Sequence, residues 1–215
     1  MIHPDTELRY IDEEIGYGVF ATRKIPKGTI AWARDRFDLE FRPEEVSRMD
    51  PIHASLISKF AYRNRDGHFI LCWDFGRYFN HSFNSNCLST GYDFELAVRD
   101  IEEGEELTDD YGYLNLQSPF KAREEGSTRQ YVYPDDLPRY YKKWDAVIEA
   151  CLPLMLKVKQ PLLPLISSSD LNEIKETIEG RREMRSILTH YYREPAEEQH
   201  SNKILLRDAN ALPHL

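Results

Sequence analysis

Short apolar runs, broken by Gly, Pro and Asn, follow one another through residues 1–115. Runs of this length that are rich in β-branched and aromatic residues are typical of strands joined by turns. The clearest predicted strands cover residues 18–22, 29–33, 68–73 and 95–100. A helix is predicted over residues 49–60, with Pro51 near its beginning. This part of the chain is therefore predicted to be mainly β.

The pattern changes from Pro134 onward, where apolar residues recur at spacings of three and four. Such a spacing places them on one face of a helix. Asp135 or Asp136 is available as its N-cap, and Pro153 is expected to end or kink it. The stripe consists of Leu137, Tyr140, Tyr141, Trp144, Val147, Ile148 and Cys151.

A second helix is predicted from Asp170, which with Glu173 forms a capping-box-like start, and Pro195 lies beyond its expected end. Both stripes predict a core face or a partner-facing surface, which leaves a homodimer through these helices open. The tail, residues 194–215, is polar, weakly patterned and expected to be mobile. The second stripe consists of Leu171, Ile174, Ile178, Leu188 and Tyr191.

Composition predicts a soluble globular protein, since 41% of the 215 residues are hydrophobic and 30% are charged. The 28 basic and 37 acidic residues give a net charge of −9 with no basic run, which disfavours direct nucleic-acid binding. An acidic surface favours encounter with a basic protein, although such a charge also serves solubility alone.

The cysteines and the N-terminus indicate the expected compartment. Cys72, Cys87 and Cys151 form an odd set without a C-x-x-C pair, which is typical of reduced thiols. We see no secretory signal and no apolar stretch of membrane-spanning length. A cytoplasmic location is expected, or a nuclear one if the source is eukaryotic, without contact to a membrane.

Three polar blocks carry the chemistry. They read G-Y-G-V-F-A at residues 16–21, R-Y-F-N-H-S-F-N-S-N at 77–86 and E-E-L-T-D-D-Y-G at 105–112. In order and spacing they resemble the signature blocks of the SET-domain lysine methyltransferases, over roughly the N-terminal half. The resemblance implies short β-sheets with a pseudoknot, a helical C-terminal extension, the cofactor S-adenosylmethionine, and methyl transfer to a lysine of a histone or another basic protein.

The resemblance also implies roles for individual residues. Tyr111 matches the catalytic tyrosine, whose hydroxyl orients the methyl group and the lysine nitrogen. Tyr62, Trp73 and Asp109 are expected to line the substrate channel. The residues expected to contact the cofactor, besides Tyr111, are Gly16, Tyr17, Gly18, Arg77, Phe79, Asn80, His81 and Phe120.

Two departures from the family pattern change the expectations. Many members bind zinc through cysteines after the tyrosine and at the position of Phe83, but Phe83 and the cysteine-free segment 119–129 remove those ligands, so no metal is expected. The helical region would then replace one wall of the channel. Asp109 stands where an aromatic residue often controls how many methyl groups are added, so this number cannot be read from the sequence.

The chain is thus predicted to comprise a SET domain at 1–115, a connector without zinc ligands at 116–133, a helical region at 134–193 and the tail. A catalytically weak SET-fold module that binds the cofactor or a basic peptide is the alternative. A metal hydrolase is disfavoured, because the histidines show neither H-x-H nor H-E-x-x-H spacing.

Overall fold

Short strands dominate the N-terminal half of the computed structural model, which describes residues 1–123 and 126–193. The predicted strands at 18–22, 29–33, 68–73 and 95–100 correspond to β2, β3, β6 and β9, so the expectation of a mainly β half is confirmed. The strands are β1 (Thr6–Asp12), β2 (Gly16–Ala21), β3 (Ile30–Ala33), β4 (Leu39–Phe41), β5 (Tyr62–Arg63), β6 (Phe69–Leu71), β7 (Asn80–His81), β8 (Cys87–Ser89), β9 (Phe94–Ala97), β10 (Glu106–Asp109), β11 (Phe120–Lys121) and β12 (Tyr131–Val132).

The central sheet has the order β1-β2-β10-β7 and brings the three sequence blocks together. β10 pairs antiparallel with β2 and parallel with β7, where Thr108 faces Asn80 and Asp109 faces His81. The Asn80 segment therefore lies beside the strand that leads into Tyr111, as the expected pseudoknot requires. Smaller sheets have the orders β3-β9-β8 and β4-β6-β5, and β11 pairs with β12.

Two helices interrupt the strands, α1 (Pro43–Val46) and α2 (Pro51–Phe60). The predicted helix at 49–60 is confirmed as α2. Asp50 caps it, because its carboxylate accepts hydrogen bonds from the backbone N–H groups of Ile52 and His53. Pro51 at the first helical position has no N–H to leave unsatisfied.

Helix α3 (Asp136–Met155) contains Pro153 and continues through Met155, so of the two predicted effects, an end or a kink, the helix does not end at this proline. A proline inside a helix costs roughly 3 kcal/mol. The last turn nevertheless buries Leu152 and Met155 completely, and this burial offsets the cost. At the other end Asp135 occupies the N-cap without a side-chain hydrogen bond.

Helix α4 (Ser168–Ile178) is shorter than the stripe predicted. Ser167, rather than Asp170, is the N-cap, and its hydroxyl accepts from the Asp170 N–H at 3.0 Å. The chain leaves the helix at Gly180, whose φ of +72° suits glycine. Leu188 lies in a separate 3-10 helix, Ile187–His190. Pro195 and the predicted tail lie outside the described residues.

Both C-terminal helices share one hydrophobic core with the strands. Ile30 of β3 and Phe94 of β9 pack in the same cluster as Trp144 and Ile148 of α3 and Ile174 of α4. Most of the stripe on α3 is thus buried in this core, while Val147 is 37% exposed. The boundary predicted at residue 134 therefore marks a change of secondary structure within one core. No helix in the described part of the chain is long and apolar enough to cross a membrane.

Candidate functional site

Tyr111 lies where β10 runs into a 3-10 helix, Tyr111–Tyr113. Its hydroxyl donates to the Phe79 carbonyl at 2.7 Å, and its N–H donates to His81 Nδ1 at 3.2 Å. Desolvation of the hydroxyl, together with the nearby carboxylates of Asp109, Glu106 and Glu95, raises the pKa of Tyr111. The hydroxyl therefore keeps its proton at neutral pH and acts as a hydrogen-bond donor.

Asn80 joins the second block to the glycine loop. Its Nδ2 donates to the Tyr17 carbonyl at 3.0 Å and to Glu106 Oε1 at 2.7 Å. A Cβ on Gly18 would lie 2.9 Å from Asn80 Nδ2, so this close approach requires glycine. A Cβ on Gly16, where φ is +83°, would meet nothing within 4 Å. Residues far apart in the sequence therefore form one polar corner with open space at Gly16.

Aromatic rings border this corner. The His81 ring lies 5.3 Å from that of Tyr111 and 5.8 Å from that of Phe120, and the Tyr111 and Phe120 rings lie 5.7 Å apart. Phe120 is 40% exposed, so its ring offers a surface to a ligand. Backbone groups and a carboxylate beside exposed aromatic surface fit S-adenosylmethionine, which carries an amino acid moiety and an adenine.

A cavity of about 430 Å³ lies next to Tyr111, a size typical of small-ligand pockets. Of the predicted site residues, it is lined by Tyr62, Arg77, Phe79, Asp109, Tyr111 and Phe120. The glycine loop, Asn80 and His81 are outside its described lining. Tyr111 and Phe79 therefore lie between the polar corner and the cavity.

Trp73, which is expected to line the substrate channel, lies outside the lining of this cavity among the described residues. Its indole Nε1 donates to Asp35 Oδ2 at 3.0 Å, and its ring packs 5.7 Å from that of Phe37. Trp73 lies at a bend after the end of β6, and the residue before it, Cys72, lines the cavity instead. Trp32, which we did not predict, supplies the aromatic wall and packs edge-on against Tyr62 at 6.2 Å.

Asp109 is 2% exposed and faces a second acid, Glu95, which is 8% exposed. Desolvation by burial raises the pKa of both carboxyl groups, that of Glu95 to about 7. The two groups lie within hydrogen-bonding reach of each other. Glu95 was not predicted as a site residue, although a single acid in the apolar run F-E-L-A indicates a buried carboxyl group.

The C-terminal region contributes to the cavity through the 3-10 helix rather than through α3. Ile187 and His190 line it. Asn115 holds this segment in place, since its Nδ2 donates to the Arg63 carbonyl at 3.0 Å and to the His190 carbonyl at 2.8 Å.

Arg129 lies against Phe83, the residue at one position where the resemblance to the family implies a zinc ligand in many members. Its guanidinium lies 4.3 Å from the centre of the Phe83 ring and 4.4 Å from that of Tyr140. It also pairs with Asp110 at 2.7 Å and Asp136 at 2.8 Å. Across residues 1–123 and 126–193, no group of three His, Cys, Asp or Glu residues is arranged to hold a metal ion. Arg129, which belongs to the segment 116–133, thus links this segment to Asp136 of α3 and to Asp110, the residue before Tyr111.

One comparison with known proteins, the match to a protein-family model, covers the three sequence blocks of this site. Residues 16–112 match the family model of the SET domain. This part of the chain is a SET domain. No curated protein matches its sequence. Among solved structures, the SET-domain chain is similar to a Plasmodium falciparum protein proposed to be a histone methyltransferase, with 18% identity and a TM-score of 0.38, over 51% of this chain and 95% of that one. A similarity this low has no bearing on activity.

Proposed function

We propose that this SET-domain protein transfers a methyl group from S-adenosylmethionine to a lysine side chain of a protein substrate. The observation that carries the proposal is the position of Tyr111, whose protonated hydroxyl lies between the polar corner at Asn80 and the cavity. A donor bound on one side and an amine entering from the other would meet at this hydroxyl.

The chain's own residues would bind, orient and exclude water. Asn80, Glu106 and the glycine loop would hold the amino acid part of the cofactor, with Phe120 against its adenine. When bound, S-adenosylmethionine supplies an activated methyl group. Tyr111 would orient the lysine nitrogen, and the cavity would keep water away. A lysine, with a pKa near 10.4 in water, attacks only when neutral, and desolvation in the cavity favours its neutral form.

A basic protein, such as a histone, is the substrate class that suits a net charge of −9. The proposal includes a cytoplasmic location, or a nuclear one in a eukaryote. A homodimer remains a separate proposal, and the buried residues of the α3 stripe cannot form its interface.

The second candidate function is a SET-fold module that binds the cofactor or a basic peptide with little turnover. Asp109, in place of an aromatic residue, favours it. A methyl-label transfer screen against basic proteins separates the two functions, because only an enzyme labels a substrate.

Methyl transfer requires binding of the cofactor, so a binding measurement tests the proposed enzyme and also the cofactor-binding form of the second candidate. We expect calorimetry to show saturable binding of S-adenosylhomocysteine and at least a tenfold loss of affinity in Asn80→Ala, which removes the hydrogen bonds that shape the corner. Asn84→Ala, an exposed residue four positions away, is the control and should bind like the wild type. No binding by folded wild-type protein would overturn the proposal.

A further inference from the structure

Two acids from strands of different sheets meet on the wall of the cavity. Glu95 lies within β9 and Asp109 at the end of β10, and both are more than nine-tenths buried. They line the cavity together with the rings of Trp32, Tyr62 and Tyr111.

Among residues 1–123 and 126–193, the cation whose charge acts on Glu95 is the N-terminal amino group, which forms its salt bridge with Asp35 instead. Neither carboxyl forms a salt bridge with a Lys or Arg there, and within the same residues Glu95 Oε2 and Asp109 Oδ1 have no hydrogen-bond donor. Buried charges are normally paired, because an isolated one is costly. Two adjacent carboxyls without a paired cation share a proton instead, which leaves the pair with about one negative charge near neutral pH.

We propose that the Glu95–Asp109 pair binds the ammonium group of the incoming lysine and accepts one of its protons before methyl transfer. This inference rests on the proposed function and adds to it a binding site for the charged amine and a destination for its proton. The rings of Trp32, Tyr62 and Tyr111 complete the site, since aromatic faces attract ammonium groups.

The proton balance is simple. An N–H bond of the ammonium breaks and an O–H bond forms on the pair, which changes from one proton to two and from one negative charge to none. The amine, now neutral, carries the lone pair that attacks the methyl group. The methylated product leaves as a cation, and the pair returns its additional proton to solvent.

The surroundings of the pair allow a pH test. Burial raises the pKa of the Cys72 and Cys87 thiols and of Tyr111, so these groups stay neutral from pH 6 to 8. The variants Asp109→Asn and Glu95→Gln separate the titration of the pair from that of the other groups around it. The other charged or titratable groups that face the pair or line the same cavity are the N-terminal amino group, Asp110, Asp93, Lys59, Arg63, Arg77, Tyr62, Tyr113 and His190.

The test compares two small probes, Nα-acetyl-lysine amide and Nα-acetyl-norleucine amide, which differ in the terminal ammonium. Their affinities would be measured by NMR titration without cofactor at pH 6, 7 and 8. We expect wild-type protein to prefer the lysine probe at least tenfold at pH 8 and less at pH 6, where the pair has more protons. In Asp109→Asn and in Glu95→Gln the preference should vanish while norleucine-probe binding stays unchanged.

Glu102→Gln, which alters an exposed acid paired with Lys24, is the control and should keep the preference. Equal affinity of the two probes for wild-type protein would overturn the inference, as would an unchanged preference in either folded variant. S-adenosylhomocysteine binding, measured in parallel, keeps the two proposals apart. If S-adenosylhomocysteine binds to wild-type protein while the two probes bind with equal affinity, the inference about the acid pair is contradicted and the proposed function is not.

Discussion

At the scale of single residues, Glu95 and Asp109 set this site apart from a purely aromatic channel. Asp109 was visible in the sequence because it lies two positions before the tyrosine of a known motif. Its partner was not, because Glu95 is 14 positions earlier and lies in a strand of a different sheet, so only the tertiary structure brings the two acids together. A chemical pair of this kind depends on tertiary structure, which local patterns do not encode.

The raised pKa of Glu95 predicts how stability depends on pH. Because the folded-state pKa of about 7 exceeds the ordinary value of 4.5, the folded protein binds more protons than the unfolded chain between these pH values. The contribution of Glu95 to stability is therefore largest at low pH and is lost as pH rises through 7. Glu95→Gln removes this dependence.

Urea unfolding at pH 5 and pH 8 measures the effect. We expect wild-type protein to lose roughly 1–3 kcal/mol of unfolding free energy relative to Glu95→Gln between these pH values. A difference between the two proteins that is the same at both pH values would show that Glu95 ionises normally.

At the scale of elements, prediction succeeded where the signal is local. The apolar run of residues 18–22 predicts strand β2. Pro51 marks the beginning of helix α2, which Asp50 caps. The length of α4 was misjudged because the apolar stripe continues past Gly180, and the structure ends the helix before that glycine. The role of Arg129 had no local signal, since its partners Asp110 and Asp136 come from two other elements.

Arg129 carries a prediction about how these elements are held together. Arg129→Met leaves Asp110 and Asp136, both almost fully buried, without their cation, and we expect a loss of about 3 kcal/mol of unfolding free energy, at the lower end for buried pairs. Asp110 also accepts from the Gly112 N–H at 3.0 Å, so cofactor affinity should fall as Tyr111 loosens.

Chemical denaturation and calorimetry of the same variant measure both effects. Arg123→Met is a matched control, because Arg123 pairs with Asp12 and Glu14 at the exposed surface and its loss should change stability little. Similar stabilities of the two variants would show that Arg129 does not hold the elements together.

At the scale of the whole molecule, a SET domain and a helical region share one core, and the C-terminal 3-10 helix completes a wall of the cavity. The motif residues could be placed from the sequence because each lies in a recognisable block. The wall of the cavity could not be placed from the sequence, since Trp32 and Trp73 both lie in predicted strands and only the fold shows which one faces inward. The proposed function therefore depends on the motif residues, which the sequence predicts, and on a cavity wall that only long-range packing forms.

The most direct test of the central claim is methyl transfer by Tyr111→Phe. The substitution removes the hydroxyl that donates to the Phe79 carbonyl and keeps the ring, so folding and S-adenosylhomocysteine binding should persist. With labelled S-adenosylmethionine and a basic protein that the wild type methylates, we expect the transfer rate to fall by about 10²-fold or more, as for loss of one preorganised polar group in an active site. A folded Tyr111→Phe protein that methylates the same substrate at the wild-type rate would contradict the account.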